Sequence, residues 1–135
     1  MRPFFGNSGA EANEGAIKAA RKYSFDHYGK GRDVVITLVN SFHGRTIATL
    51  TATGQEVFHN YFGPFNEGFV YTTAGDIEGL RELVDRHTCA IMLERHLPKQ
   101  LLHLVDKARD LLPEHQTYRQ EKQHERGHSW GDMSL

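Results

Sequence analysis

The run Asn7-Ser8-Gly9-Ala10-Glu11 opens a stretch whose small and apolar residues recur at helical spacing. The first turn of a helix presents N–H groups with no intrahelical acceptor, at the positive end of the helix dipole, so it suits an anion such as a phosphate. Gly9 lets the main chain come close to such an anion, and Ser8 adds a hydroxyl. The same residues match the capping box S-x-x-E, in which Ser8 accepts from the Glu11 N–H and Glu11 reaches back to the Ser8 N–H. A capped helix with no ligand is the commoner meaning of that pattern, and the charge of Glu11 opposes a phosphate unless it is turned away.

A second constellation, Ser41-Phe42-His43-Gly44-Arg45-Thr46, follows the apolar run Val34 to Val39. Ligands of open α/β sheets bind beyond the carboxyl ends of strands, so two segments that both follow strands can share a crevice. Phe42 offers a flat face for stacking and Arg45 a bidentate fork for a carboxylate. A turn with a core phenylalanine and a solvated arginine accounts for the same residues. A third pattern, His124-Glu125-Arg126-Gly127-His128, fits H-E-x-x-H, the zinc-protease spacing. Gly127 disfavours helix there and no third ligand is evident, so no metal site is expected and a zinc hydrolase is the weakest reading. Cys89, the one cysteine, lies in the apolar run Cys89-Ala90-Ile91-Met92-Leu93 and reads as a small buried hydrophobe.

The elements that would position these groups alternate between strand and helix. Residues 3 to 7 read as a short strand. A helix is expected from Ser8 to about Tyr28, with Ala12, Ala16, Ala19, Ala20 and Tyr23 on its buried face and Gly29 as its stop. Val34 to Val39 has the unbroken apolar character of a strand covered on both sides. A short helix with Ile47 and Leu50 ends near Gly54, and residues 55–66 form an aromatic-rich loop broken at Gly63-Pro64. Gly68 to Thr72 reads as a strand. Asp76 caps a helix running to about Arg86, and Thr88 to Leu93 is a further buried strand. The fold class expected is α/β with a mainly parallel sheet. Beyond Glu94 an amphipathic helix is expected over residues 95–112, and a polar, disordered tail over 113–135.

With 135 residues, 39% hydrophobic and 24% charged, the chain suits one soluble domain. A net charge of −1 with no basic stripe argues against a nucleic-acid partner, and no apolar stretch approaches membrane-spanning length. Without a signal-like start, a cytoplasmic location is the expectation.

Phe5-Gly-Asn-Ser-Gly-Ala-Glu-Ala-Asn-Glu14 resembles the phosphate-binding segment of class III aminotransferases, and Ser41-Phe-His-Gly-Arg-Thr46 resembles their second cofactor-site segment. Ala-Ala-Arg-Lys-Tyr23, Gly54-Gln55, Phe62-Gly-Pro64, Asp76-Ile77 and Ala90-Ile-Met-Leu-Glu94 match in the same order, so the resemblance covers residues 2 to 94. It implies part of the large domain of a fold-type I enzyme, with pyridoxal 5'-phosphate as cofactor and a homodimeric assembly. By resemblance, Ser8 with the backbone of Gly9 and Ala10 holds the cofactor phosphate, Phe42 stacks on the pyridine ring, and Arg45 grips the substrate α-carboxylate. The acetylornithine branch is the nearest, beside succinyldiaminopimelate and ornithine aminotransferases. Its reaction passes the amino group of N-acetylornithine to 2-oxoglutarate.

That reaction needs a Schiff-base lysine and an acid partner for the pyridine nitrogen. The lysines here are Lys18, Lys22, Lys30, Lys99, Lys107 and Lys122, and none lies in a segment resembling the family's lysine motif. Arg95-His96-Leu97-Pro98 stands where the family has a glycine-rich run. The chain alone is therefore expected to lack catalysis, with no catalytic residue of its own. A frameshifted gene remnant and a non-catalytic module that binds the cofactor or a partner are the alternatives.

Overall fold

The computed structural model describes residues 3, 5–94 and the two-residue strand Tyr118–Arg119. The order is α1 (Gly9–Tyr28), β1 (Val34–Leu38), α2 (Ile47–Ala52), a 3-10 turn (Glu56–Phe58), β2 (Phe69–Thr72), α3 (Ile77–Leu83), β3 (Thr88–Leu93) and β4 (Tyr118–Arg119). The strands form one sheet in the order β2-β1-β3-β4, and every pairing is parallel, as the sequence led us to expect. Of residues 95–135, where the added helix, the polar tail and the H-E-x-x-H pattern fall, all but β4 lie outside the described residues.

The core has two halves because side chains alternate across a strand. On one face Val35, Ala90 and Met92 pack with Ile17 and Ala20 of α1 and Ala52 of α2. On the other, Ile36, Leu38, Ile91 and Leu93 pack with Leu80 of α3. Both central strands are thus covered on both sides, which is why β1 and β3 read as unbroken apolar runs. Cys89 is buried among these residues, and burial pushes its thiol up to about 11, so it is packing material and no nucleophile at neutral pH.

Four expectations need correction. Residues 3 and 5–7 form no strand, because the Asn7 N–H, which a sheet ladder would use, donates to Glu11 Oε2 at 2.5 Å. The buried stripe of α1 is Asn13, Ile17, Ala20 and Ser24, while Ala12 and Ala19 are exposed and Ala16 and Tyr23 half-buried. Two polar residues take the inward face because each has a partner there: Asn13 Nδ2 donates to the His43 carbonyl and Ser24 Oγ to the Arg32 carbonyl, both at 2.6 Å. Finally, α3 stops at Leu83 rather than near Arg86. Asp85 N–H turns to Thr88 Oγ1 and His87 N–H to Asp85 Oδ1, forming a tight entry into β3. The fourth concerns the capping box and is taken up with the site.

The amino edge of the sheet is held by Arg21. Its Nε donates to the Asp33 carbonyl at 3.0 Å and its Nη2 to the Glu67 carbonyl at 2.9 Å, with the guanidinium over the Phe69 ring. At the opposite edge Gly54 lies against the end of β1. Asn40 N–H donates to the Gly54 carbonyl at 2.7 Å, and a Cβ on Gly54 would stand 2.1 Å from the Leu38 carbonyl oxygen. Gly54→Ala is therefore expected to cost about 3 kcal/mol or more, because only backbone can give way. Gly9→Ala meets nothing within 4 Å and is expected to change stability by less than about 0.5 kcal/mol. Urea denaturation of the two variants checks the contrast, and an equal loss in both would contradict the role given to Gly54.

Candidate cofactor site at the carboxyl edge of the sheet

The chain leaves β1 through a turn that the left-handed Asn40 (φ 64°) makes possible. It then lays residues 41–46 across the start of α1. Three contacts join the two segments. Gly44, at φ 133°, packs so closely on the helix that a Cβ there would lie 2.7 Å from Ala10 Cβ. Asn13 supplies the bond to the His43 carbonyl. Thr46 Oγ1 donates to Glu14 Oε1 at 2.6 Å. The two constellations singled out in the sequence are thus physically continuous. Among the described residues, however, no hydrogen bond or ring contact runs directly from Ser8 or Gly9 to Phe42 or Arg45.

Ser8 is the N-cap of α1, its Oγ accepting from the Glu11 N–H at 3.2 Å. The capping box is not reciprocal as expected, since Glu11 bonds the N–H of Asn7 rather than that of Ser8. Its carboxylate is thereby committed to a main-chain donor. Ser8 and Gly9 are exposed and Ala10 is half-buried, and the N–H groups of Gly9 and Ala10 have no acceptor among the described residues. Phe42 is 43% exposed, and its N–H donates to Glu94 Oε1 at 3.0 Å, which ties the turn to the carboxyl end of β3. Arg45 is exposed, with its guanidinium over the Phe58 ring at 4.6 Å and the Phe42 ring at 5.9 Å.

Beneath the turn lies a buried polar layer that sequence reasoning did not find. The His43 side chain is 2% exposed, with Nε2 2.9 Å from Thr37 Oγ1, and the main-chain N–H of His43 donates to Thr53 Oγ1 at 3.0 Å. Thr53 Oγ1 in turn donates to the Thr49 carbonyl, and Ser41 Oγ accepts from the Gly54 N–H. Burial lowers the His43 pKa from 6.5 to about 4, so the ring is neutral at pH 7. Asn13, Glu14, Phe58 and Glu94 were also missed as site-building residues. Asn13 had a signal, since it continues the spacing of Ile17, Ala20 and Ser24. The others act over distances in sequence that no local pattern reports.

The α/β fold, with its parallel sheet and with a helix start and an aromatic-arginine turn at the carboxyl edge, is shared with solved aminotransferases. The solved ornithine aminotransferase from Toxoplasma gondii matches this chain with a TM-score of 0.73 at 29% identity, over 84% of the chain and 29% of that protein. The aminotransferase class-III family model matches residues 2–98, and the chain belongs to that family. Acetylornithine aminotransferase of Haemophilus ducreyi is 58% identical over 94 residues, 69% of this chain and 24% of that enzyme. The same enzyme of Caldanaerobacter subterraneus is 63% identical over 91 residues, 67% of this chain and 23% of that enzyme. The chain therefore spans about a quarter of the length of the curated relatives it matches.

The family's cofactor is pyridoxal 5'-phosphate, and the residues present fit its parts. Two unclaimed N–H groups begin a 20-residue helix, and the nearest acid on that helix is tied to Asn7. A half-exposed ring and a guanidinium that has no ion pair among the described residues stand on the adjoining turn. No group of three or more metal-ligating side chains occurs among the described residues, and none of their helices is long and apolar enough to cross a membrane.

The buried histidine gives the site a measurable pH response. Between pH 6.5 and 4 the unfolded chain carries a proton on His43 that the folded chain does not. Stability must then fall as pH drops through that window, by on the order of 3 kcal/mol in all, and level off below it. Urea denaturation at pH 7 and pH 4.5 is expected to show a steeper acid loss for the native chain than for His43→Gln. Identical losses would contradict the burial of a neutral imidazole.

Proposed function

We propose that residues 5–94 form the phosphate-, ring- and carboxylate-binding portion of an aminotransferase acting on an acetylornithine-like amino donor, with 2-oxoglutarate as acceptor. The observation that carries this reading is the seating of Gly44 on Ala10, which joins an anion-binding helix start to a turn bearing a ring and a fork. The N–H groups of Gly9 and Ala10, with Ser8 beside them, would hold the cofactor phosphate. Phe42 would lie on the pyridine face, and Arg45 would take the substrate α-carboxylate in bidentate fashion. Pyridoxal phosphate, when bound, supplies the electron sink of amino transfer. This chain's own residues supply placement. They fix the phosphate, exclude water from one ring face and orient the carboxylate, so that the carbon to be deprotonated has a set position.

The identity to acetylornithine aminotransferases favours that branch for the donor. Phe5, Ile47, Val57, Tyr61 and Phe62 are exposed, and a second subunit, as in the family's homodimers, would cover apolar side chains of this kind. A cytoplasmic setting goes with this reading. Lys18 and Lys22 are exposed on α1, Lys22 paired with Asp26, and neither bears on the site. We propose accordingly that the 135-residue chain by itself holds the cofactor without a covalent bond and does not complete amino transfer.

The test uses pyridoxamine 5'-phosphate, which forms no adduct with surface lysines. Its fluorescence is expected to report saturable binding to the purified chain. Ser8→Asp, which sets a charge against the phosphate, is expected to weaken binding roughly tenfold or more. Phe42→Ala is expected to weaken it by several-fold. The chain alone is expected to show no turnover of N-acetylornithine. Absence of saturable binding, or Ser8→Asp binding as well as the native chain, would remove the reading. Turnover that disappears in Arg45→Ala would refute the inactivity of the isolated chain.

A further inference from the structure

Arg45 is held in an unusual way for an exposed arginine. Among the described residues it makes no hydrogen bond or ion pair, and its contacts are the faces of two rings, Phe58 at 4.6 Å and Phe42 at 5.9 Å. The Phe58 ring also meets the Phe42 ring edge-on, with centroids 5.8 Å apart and planes at 68°. One side chain therefore touches both groups assigned to the ligand. Its own segment is braced: Phe58 N–H donates to the Gln55 carbonyl at 3.0 Å, and Gln55 Nε2 donates to the Ser41 carbonyl at 3.0 Å. The next residue, His59, contacts the Leu50 carbonyl through Nε2 at 2.9 Å and lies against Phe65. The 3-10 turn is thus bolted to the turn that carries Phe42 and Arg45.

A guanidinium set over a ring is attracted to it by charge and spends no N–H donor on a hydrogen bond there. Contact with two rings also narrows the rotamer freedom that a long side chain would otherwise lose on gripping a ligand. We propose that Phe58 is a positioning residue that holds the Arg45 fork open toward solvent and aligned with the Phe42 ring, so that the site favours ligands carrying an α-carboxylate over amines that lack one. This rests on the roles given to Phe42 and Arg45 above.

Two probes separate the effects: pyridoxamine 5'-phosphate, which has no carboxylate, and the borohydride-reduced conjugate of pyridoxal phosphate with ornithine, which has one. For the full chain, Phe58→Leu is expected to lower affinity for the conjugate about fivefold and affinity for pyridoxamine phosphate much less. Phe58→Trp, which keeps an aromatic face, is expected to restore the preference. The Arg45 δ-methylene protons are expected to show ring-current shifts in the native chain and in Phe58→Trp but not in Phe58→Leu. If Phe58→Leu weakens both probes equally, or Phe58→Trp is as poor as Phe58→Leu, the side chain has only a packing role and the proposal is overturned. If the native chain prefers the conjugate and Phe58→Leu prefers it equally, Phe58 is dispensable while the site reading stands. Failure of the native chain to bind either probe overturns the site reading and this proposal with it.

Discussion

The bond from Asn13 to the His43 carbonyl is short, buried and thirty residues long in sequence. It fixes the distance between the start of α1 and the turn after β1, and Ser8, Gly9, Ala10, Phe42 and Arg45 all stand on one or other of those two pieces. A buried carbonyl left without this partner would cost more than the bond contributes when made, so the alternative arrangement is disfavoured twice over. The glycine beside it completes the constraint. With Asn13 drawing the turn down and Gly44 offering no Cβ, the main chain of residues 43–45 can rest directly on Ala10. A neutral imidazole and a set of threonine hydroxyls fill the space beneath, where charge would be expensive.

Three carboxylates stand near the helix start and the turn, and each serves as an acceptor. Glu11 holds the Asn7 N–H, Glu14 the Thr46 hydroxyl and Glu94 the Phe42 N–H. Their lone pairs are directed into the segments they organise. Among the described residues, the N–H groups of Gly9 and Ala10 and the guanidinium of Arg45 have no hydrogen-bond acceptor. The helix start and the arginine thus leave two separated positive groups at this edge.

Much of this was legible in the sequence, and the limits have physical causes. The runs Val34 to Val39 and Thr88 to Leu93 announced strands covered on both sides because central strands of a parallel sheet have no polar face to show. Ser8 and Asp76 marked helix starts by side-chain chemistry that acts within three residues. The inward face of α1 was misjudged because hydrophobicity cannot identify Asn13 and Ser24, whose burial depends on carbonyls elsewhere in the fold. For the same reason the motifs identified Phe42 and Arg45 but not Phe58, which shares no periodicity with them and meets them only after the loop has folded back.

The opposite edge of the sheet is governed by Arg21, which gathers the carbonyls before β1 and β2 into one hydrogen-bonded clasp. Strand register is thereby set at the end remote from residues 41–46. The carboxyl end is tied as well, through Asn13, Gly54 and Gln55, so the turn after β1 sits between two fixed ends and inherits its placement from both.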